Sequence, residues 1–174
     1  MKLDKKNYNP HYWLSFKNSR IIASKIVDKL IELDPRDRYF YQKKLQNFVE
    51  KLNELEKSSQ KFKSLKNKKI IITHPAFDYL AQELGLEIIG YLKTEEGEGI
   101  SPNKLLDLAL KIKQNNIKTI FVEKGMIDQT VIQFAKIYNL KMVELDPLEI
   151  SSQNQLFTET LKENIEKIYN NLSL

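Results

Sequence analysis

The sequence predicts an α/β protein in which a four-stranded parallel sheet is flanked by helices and preceded by a long helix and one extra N-terminal helix. After residue 68, short β-branched runs alternate with segments of helical periodicity, which is the pattern of parallel strands joined by right-handed crossovers. Before that point, apolar residues recur at helical spacing. We therefore expect three parts: a loop and helix over residues 1–35, a linking helix over 36–66, and an α/β lobe over 67–174.

The N-terminal part is predicted to contain two helices separated by Asp34-Pro35. The first spans residues 16–33 and has one apolar face, formed by Ile22, Ile26, Leu30 and Leu33. Asp34 can cap the second helix, and Pro35 suits its first turn, where the missing N–H of proline has no partner anyway. The second helix spans residues 36–65, with apolar residues at heptad-like spacing that Ser59 interrupts. About 30 residues at about 1.5 Å each predict a rod of about 45 Å.

Four strands and four helices are predicted in the C-terminal part. The strands cover residues 70–73, 86–92, 117–122 and 141–145. The helices cover residues 75–84, 102–115, 127–139 and 157–172. Gly85 is predicted to form the C-terminal cap of the first of these helices, and Ser101 to cap the start of the second.

The composition is that of an ordinary globular chain of 174 residues, with 41% hydrophobic and 29% charged residues. The absence of cysteine excludes disulfides and thiolate zinc sites. The net charge is +5, but the lysines are spread over every predicted helix, so nucleic-acid binding is not favoured. No apolar run approaches the ~18 residues of a membrane span, and residues 1–20 lack the apolar core of a signal peptide.

Side chains that can bind a metal or act as an acid or base follow three of the four predicted strands. They are His74, Glu123 and Asp146. The carboxyl ends of parallel strands lie along one edge of a sheet, where open α/β sheets bind ligands. Imidazole and carboxylate suit zinc or manganese, although such residues also commonly cap the following helix. His11 is a third candidate if the N-terminal segment folds over this edge, and otherwise a turn histidine stacked on Trp13.

Signatures of enzymes are mostly missing. The sequence has no GxGxxG, P-loop or GxSxG motif. The loop at residues 95–99 is acidic and would repel phosphate. We therefore predict a binding protein and not an enzyme. A metal-dependent hydrolase ranks last, because no general base beyond Glu123 is indicated.

Six blocks of the sequence together resemble a known family. In chain order they are Asn9-Pro10-His11-Tyr12-Trp13-Leu14-Ser15, Leu33-Asp34-Pro35, Thr73-His74-Pro75-Ala76-Phe77-Asp78-Tyr79-Leu80, Ser101-Pro102, Ile120-Phe121-Val122-Glu123 and Leu145-Asp146-Pro147-Leu148. They resemble the zinc- and manganese-binding solute receptors of bacterial ABC importers, the cluster A-I or TroA-like group. The resemblance covers nearly the whole chain, over residues 9–172.

The resemblance implies two α/β lobes joined by a long rigid helix, with the metal held between the lobes. It implies metal ligands at His11, His74 and Asp146. Glu123 matches a block of the family but no ligand position, so we expect it to contact a metal ligand or to have a structural role. A histidine at the third ligand position is more similar to zinc receptors, so Zn²⁺ is expected, with Mn²⁺ as the alternative. It also implies delivery to an ABC permease, from a periplasmic or membrane-anchored extracytoplasmic location.

The resemblance has one large departure, because residues 1–35 look like only the last helix of the family's first lobe. That lobe carries the family's first ligand histidine. We therefore expect the apolar face of helix 16–33 to be exposed, folded onto another part, or paired with a second copy or a missing lobe. A fourth ligand would come from a partner chain, from water, or from Glu95, Glu96 or Glu98. The alternative function is a degenerate relative that serves as a non-metal interaction or oligomerisation module.

Overall fold

The computed structural model describes residues 9–94, 96–149 and 156–173. Its strands form one sheet, with β1 at Lys69–Ile72, β2 at Glu87–Tyr91, β3 at Thr119–Glu123 and β4 at Lys141–Leu145. All neighbouring strands are parallel, in the order β2-β1-β3-β4. The predicted α/β fold with a four-stranded parallel sheet is therefore confirmed.

Six α-helices accompany the sheet in the described part of the chain. They are α1 (Phe16–Leu33), α2 (Arg38–Ser58), α3 (Asp78–Glu83), α4 (Pro102–Gln114), α5 (Gln129–Ile137) and α6 (Phe157–Leu172). Gly85 follows α3 with a φ of +69°, as a glycine that ends a helix does. Ser101 is the N-cap residue of α4, as predicted, but its side chain makes no capping hydrogen bond. None of the described helices combines the length and apolar character needed to cross a bilayer.

The linking helix is shorter than predicted. Pro35–Asp37 forms a 3-10 turn, α2 ends at Ser58, and Ser59–Ser64 continues as a 3-10 helix. The hydroxyls of Ser58 and Ser59 both donate to the Leu55 carbonyl at 2.8 Å, and such bonds compete with the helical ladder. The 21 residues of α2 therefore span about 31 Å instead of the expected length of about 45 Å.

The hydrophobic core has two layers, one on each face of the sheet. Alternate residues of β1 point to opposite faces, so Ile70 and Ile72 join one cluster and Ile71 joins the other. Large buried members of the first cluster are Phe16, Leu52, Phe62, Phe121 and Leu161. Members of the second, from α4 and α5, are Leu108, Ile112, Val131 and Phe134. Because helices cover both faces of the central strands β1 and β3, a polar site at these strands lies at their ends.

The apolar face of α1 is only partly covered. Ile26 and Leu33 are 55% and 70% exposed, although α1 packs against α2. Between the two helices lies an open groove of about 750 Å³, whose wall includes Leu148 and Phe157. The apolar surface expected from the sequence is therefore accessible within the described part of the chain.

Glu83 anchors the start of α1 to the end of α3. Its carboxylate accepts hydrogen bonds from the Ser15 hydroxyl at 2.7 Å, the Phe16 N–H at 2.6 Å and the Lys17 N–H at 3.2 Å. Glu83→Ala should lower the free energy of unfolding by about 1 kcal/mol, the usual loss when a helix loses its N-terminal cap. Thermal or urea unfolding measures this loss. Glu163→Ala, on an exposed helical position, is the control, and equal stability of the two variants would contradict the anchor.

Candidate metal site

His74 lies at the carboxyl edge of the sheet, two residues after the end of β1. Its backbone is extended, and Pro75 begins the 3-10 turn that leads into α3. The imidazole Nδ1 lies 2.8 Å from Oε2 of Glu123, and both residues are only 3% exposed. Glu123 is the last residue of β3, and its N–H donates to the Thr73 hydroxyl at 3.0 Å. The adjacent ends of β1 and β3 thus hold a histidine against a carboxylate.

This contact determines which nitrogen of His74 can bind a metal. An ionised carboxylate only accepts hydrogen bonds, so Nδ1 of His74 carries the hydrogen and donates to Glu123 Oε2. The lone pair of the neutral ring is then on Nε2. Ligand histidines in metal sites are commonly held by a carboxylate in this way, which orients the ring and raises its basicity.

His11 is held beside His74 by Asn9. The Asn9 Oδ1 accepts from the backbone N–H and the ring Nδ1 of His11, each at 2.9 Å, while its Nδ2 donates to the Pro75 carbonyl at 2.6 Å. The two imidazole rings are nearly perpendicular, with centroids 5.1 Å apart. The ring of His11 also lies 5.4 Å from that of Trp13. The N-terminal segment therefore folds over the sheet edge, and His11 also contacts Trp13, with the two rings tilted by 57° instead of stacked.

Glu149 faces the other ring nitrogen of His11, and the sequence pattern does not indicate it. Its Oε1 lies 3.1 Å from Nε2 of His11. Because the Nδ1–H of His11 donates to Asn9 Oδ1, a neutral His11 would point the Nε2 lone pair at this carboxylate. The contact is favourable only with a positive charge between the two atoms, either a second ring proton or a metal ion. Its place three residues after Asp146 is the one signal that could have drawn attention to Glu149.

Asp146 follows β4, and its carboxylate is paired with the ammonium group of Lys124. Its Oδ2 accepts from Lys124 Nζ at 2.9 Å, and its Oδ1 accepts from the Leu148 N–H at 2.8 Å. Burial acts to raise the pKa of Asp146, but the hydrogen bonds from Lys124 and Leu148 and the charge of Lys124 outweigh it, so the pKa lies below its usual value. Its role as a metal ligand stays a prediction.

Two of the three predicted ligands, His11 and His74, are thus side by side. In residues 9–94, 96–149 and 156–173, no three His, Asp or Glu side chains are already close enough to hold a metal ion together. The contacts of His11 with His74 and with Glu149 exist as pairs. Binding of one metal ion by these residues would require their donor atoms to move closer together.

The glutamates suggested for a fourth ligand follow β2. Glu95 lies outside the described residues. Glu96 lines a pocket beside β2 that also includes Asn9 and Pro75, the neighbours of the two histidines. The N–H of Glu98 donates to the Thr94 hydroxyl at 3.3 Å. Glu96 and Glu98 remain predictions for that position.

Comparison with known proteins gives relatives over almost the entire chain. A family model described as zinc-uptake complex component A, periplasmic, matches residues 2–171. The manganese ABC transporter substrate-binding lipoprotein PsaA of Streptococcus anginosus is 32% identical, over 98% of this chain and 57% of that protein. This chain therefore spans little more than half the length of such a relative.

Solved structures of similar proteins share the fold, and this chain again covers only part of each of them. The AdcAII protein of Streptococcus pneumoniae has a TM-score of 0.89 and 31% identity, over 99% of this chain and 66% of that one. The laminin-binding protein Lmb of Streptococcus agalactiae, described as an adhesin with metal transporting activity, has a TM-score of 0.86 and 31% identity, over 99% of this chain and 68% of that one. Zinc-bound AdcAII variants with a substituted histidine or glutamate are also similar. The chain belongs to the zinc-uptake component A family, whose members include substrate-binding proteins of metal ABC transporters.

Proposed function

We propose that this chain captures a divalent metal ion, zinc with manganese as the alternative, as part of the substrate-binding component of an ABC importer. The contact between His11 Nε2 and Glu149 Oε1 carries the proposal. Separate parts of the fold hold these two atoms 3.1 Å apart, and a bound metal ion would supply the positive charge that a second ring proton supplies otherwise. His74 is the neighbouring imidazole, and Glu123 orients it through Nδ1.

The spacings fit a tetrahedral zinc ion. Donors at about 2.0–2.2 Å from such an ion lie about 3.3 Å from one another, close to the 3.1 Å between His11 Nε2 and Glu149 Oε1. Two imidazoles bound to one zinc have ring centroids about 5 Å apart, and those of His11 and His74 are 5.1 Å apart. Side-chain movements would still be needed to bring the three donors to one ion, because the described residues do not yet form such a group.

We assign His11, His74 and Glu149 as ligands and keep Asp146 as the competing carboxylate. A spacing in the relatives supports Glu149: the substituted histidine and glutamate of the zinc-bound AdcAII variants are 75 positions apart, as are His74 and Glu149. Asp146 is already paired with Lys124. The remaining coordination position is left for water, for Glu96, or for a group outside the described residues.

Two imidazoles favour zinc, because manganese prefers carboxylate, carbonyl and water oxygens. The names of the relatives include both metals, since PsaA is named for manganese and AdcAII variants are zinc-bound. The terms lipoprotein and periplasmic in these names support an extracytoplasmic location. In this role the protein delivers the ion to a membrane permease and catalyses no reaction.

A non-metal interaction module is the second candidate, and the exposed apolar face of α1 favours it. Ile26 and Leu33 contribute to this face without being buried. A chain that only binds partners through the groove between α1 and α2 would use neither histidine. Metal binding therefore separates the two candidates.

Calorimetric titration of the purified chain with Zn²⁺ and with Mn²⁺ tests the proposal. We expect zinc to bind more tightly than manganese and to raise the unfolding temperature, since a ligand that binds only the folded state stabilises it. Binding should weaken as the pH falls, because an imidazole must lose its proton to bind a metal. If neither ion changed the titration heat or the unfolding temperature, the interaction module would be the better account.

A further inference from the structure

The loop that carries Glu149 contains an unusual backbone conformation. Leu148 has a φ of +64°, a region that residues other than glycine rarely adopt. Such conformations persist only where the surrounding contacts hold them. Because Leu148 immediately precedes Glu149, its conformation decides where the Glu149 carboxylate points.

Contacts from two other parts of the fold hold this turn. Asn164 of α6, which is 1% exposed, accepts from the Asp146 N–H at 2.9 Å and donates to the Asp146 carbonyl at 2.7 Å. The indole N–H of Trp13 donates to the Pro147 carbonyl at 2.8 Å. Within the turn, Asp146 Oδ1 accepts from the Leu148 N–H at 2.8 Å. The Asp146 carboxylate thus binds Leu148 directly, while Asn164 and Trp13 hold the residues before it.

Lys124, the residue after β3, adds a third restraint. Its Nζ donates to Asp146 Oδ2 at 2.9 Å, and the Asp146 side chain is 11% exposed. A lysine ammonium group is positively charged at neutral pH, so this contact is a charge-assisted hydrogen bond. With Oδ2 bound by Lys124, the other oxygen stays directed at the Leu148 N–H.

We propose that Lys124 is a positioning residue for the metal. Its ammonium fixes the Asp146 carboxylate, the carboxylate fixes the turn at Leu148, and the turn aims Glu149 at His11. The proposal rests on the proposed function, in which Glu149 is a ligand. It gives Lys124 a part in setting metal affinity without contact with the ion. Removing a residue that orients a ligand typically weakens metal binding about 10–100-fold.

Zinc titration of Lys124→Met and Lys124→Arg tests the proposal. Lys124→Met should weaken zinc binding about tenfold, and Lys124→Arg, which keeps a charged donor, should restore most of the affinity. Lys111→Met is the matched control, because Lys111 is also paired with an aspartate, at 2.8 Å, and has a similar exposure of 42% against 39% for Lys124. This control should bind zinc as the wild type does.

A double-mutant cycle shows whether Lys124 acts through Glu149. In a Glu149→Gln background, Lys124→Met should have little further effect, because the ligand that it positions is already altered. An equal loss in both backgrounds, or wild-type affinity in Lys124→Met, would overturn the proposal. Tighter zinc binding by Lys124→Met would also overturn it, since the lysine would then compete with the metal for Asp146.

Trp13, the single tryptophan of the chain, provides a readout that needs no metal. Its indole N–H is bound to the turn, so the NMR signal of that N–H should shift in Lys124→Met and stay in place in Lys111→Met. If the wild type did not bind zinc, the proposed function would fail, and the indole signal would still decide whether Lys124 holds the turn. An unchanged signal in Lys124→Met would overturn the positioning role.

Discussion

Replacing His74 by leucine is expected to abolish high-affinity zinc binding and to destabilise the fold at the same time. Leucine has a similar volume but no lone pair, so the ion loses one of two nitrogen ligands. The loss of zinc affinity should exceed about 10–100-fold, which is the typical loss when a residue that is hydrogen-bonded to a metal ligand is removed. Glu123, which is 3% exposed, loses the group that its carboxylate is paired with. A buried charge left without its partner costs about 3–5 kcal/mol.

The double variant His74→Leu/Glu123→Met separates these two effects. Replacing both members of a buried pair by apolar groups is often neutral for stability. The double variant should therefore unfold near the wild-type temperature in the absence of metal, while calorimetry still detects no tight zinc binding. Recovery of zinc binding together with stability would show that His74 is not a ligand, and that the single variant had only a folding defect.

The sheet could be predicted because its central strands are buried on both faces. β1 and β3 each contain three consecutive buried apolar residues, Ile70–Ile72 and Ile120–Val122, as parallel strands covered by helices do. The end of α2 could not be predicted in the same way. The apolar spacing continues past Ser58, and the bonds of two serine hydroxyls to Leu55 depend on side-chain geometry that periodicity does not reveal.

The candidate site was predictable only where it lies at strand ends. His74 and Glu123 each end or follow a strand, but their pairing depends on β1 lying beside β3, with Ile72 opposite Phe121. The strand order that produces this neighbourhood is a long-range property. The position of Glu149 is harder to predict than those of His74 and Glu123, because its approach to His11 depends on the conformation of a loop that distant residues hold.

Glu149→Gln is expected to weaken zinc binding more than tenfold, with little effect on stability. Glutamine keeps the size of the side chain but offers the metal a neutral amide. Loss of a ligand should reduce zinc affinity by at least the loss of about tenfold that follows removal of a residue bonded to a ligand. The Glu149 side chain is 41% exposed, and the glutamine amide can donate to Nε2 of a neutral His11, so neither side chain is left without a hydrogen-bond partner. Zinc calorimetry and metal-free thermal unfolding measure the two effects.

Asp146→Asn should clearly lower the stability of the fold and should weaken zinc binding less than Glu149→Gln does. The pKa of Asp146 is lowered in the folded protein, because the bonds from Lys124 and Leu148 outweigh the effect of burial. The ionised form therefore stabilises the fold at neutral pH, and this contribution is lost as the pH falls through the folded-state pKa. The stability difference between the wild type and Asp146→Asn should shrink over the same acid range.

The ranking of the two variants decides which carboxylate binds the ion. If Asp146→Asn lost more zinc affinity than Glu149→Gln, Asp146 would be the ligand, and the metal would have to displace the Lys124 ammonium to reach it. Binding would then be opposed by a charge of the protein's own. The present geometry avoids that conflict, because Lys124 neutralises Asp146 while Glu149 faces an imidazole nitrogen across a gap that suits a cation.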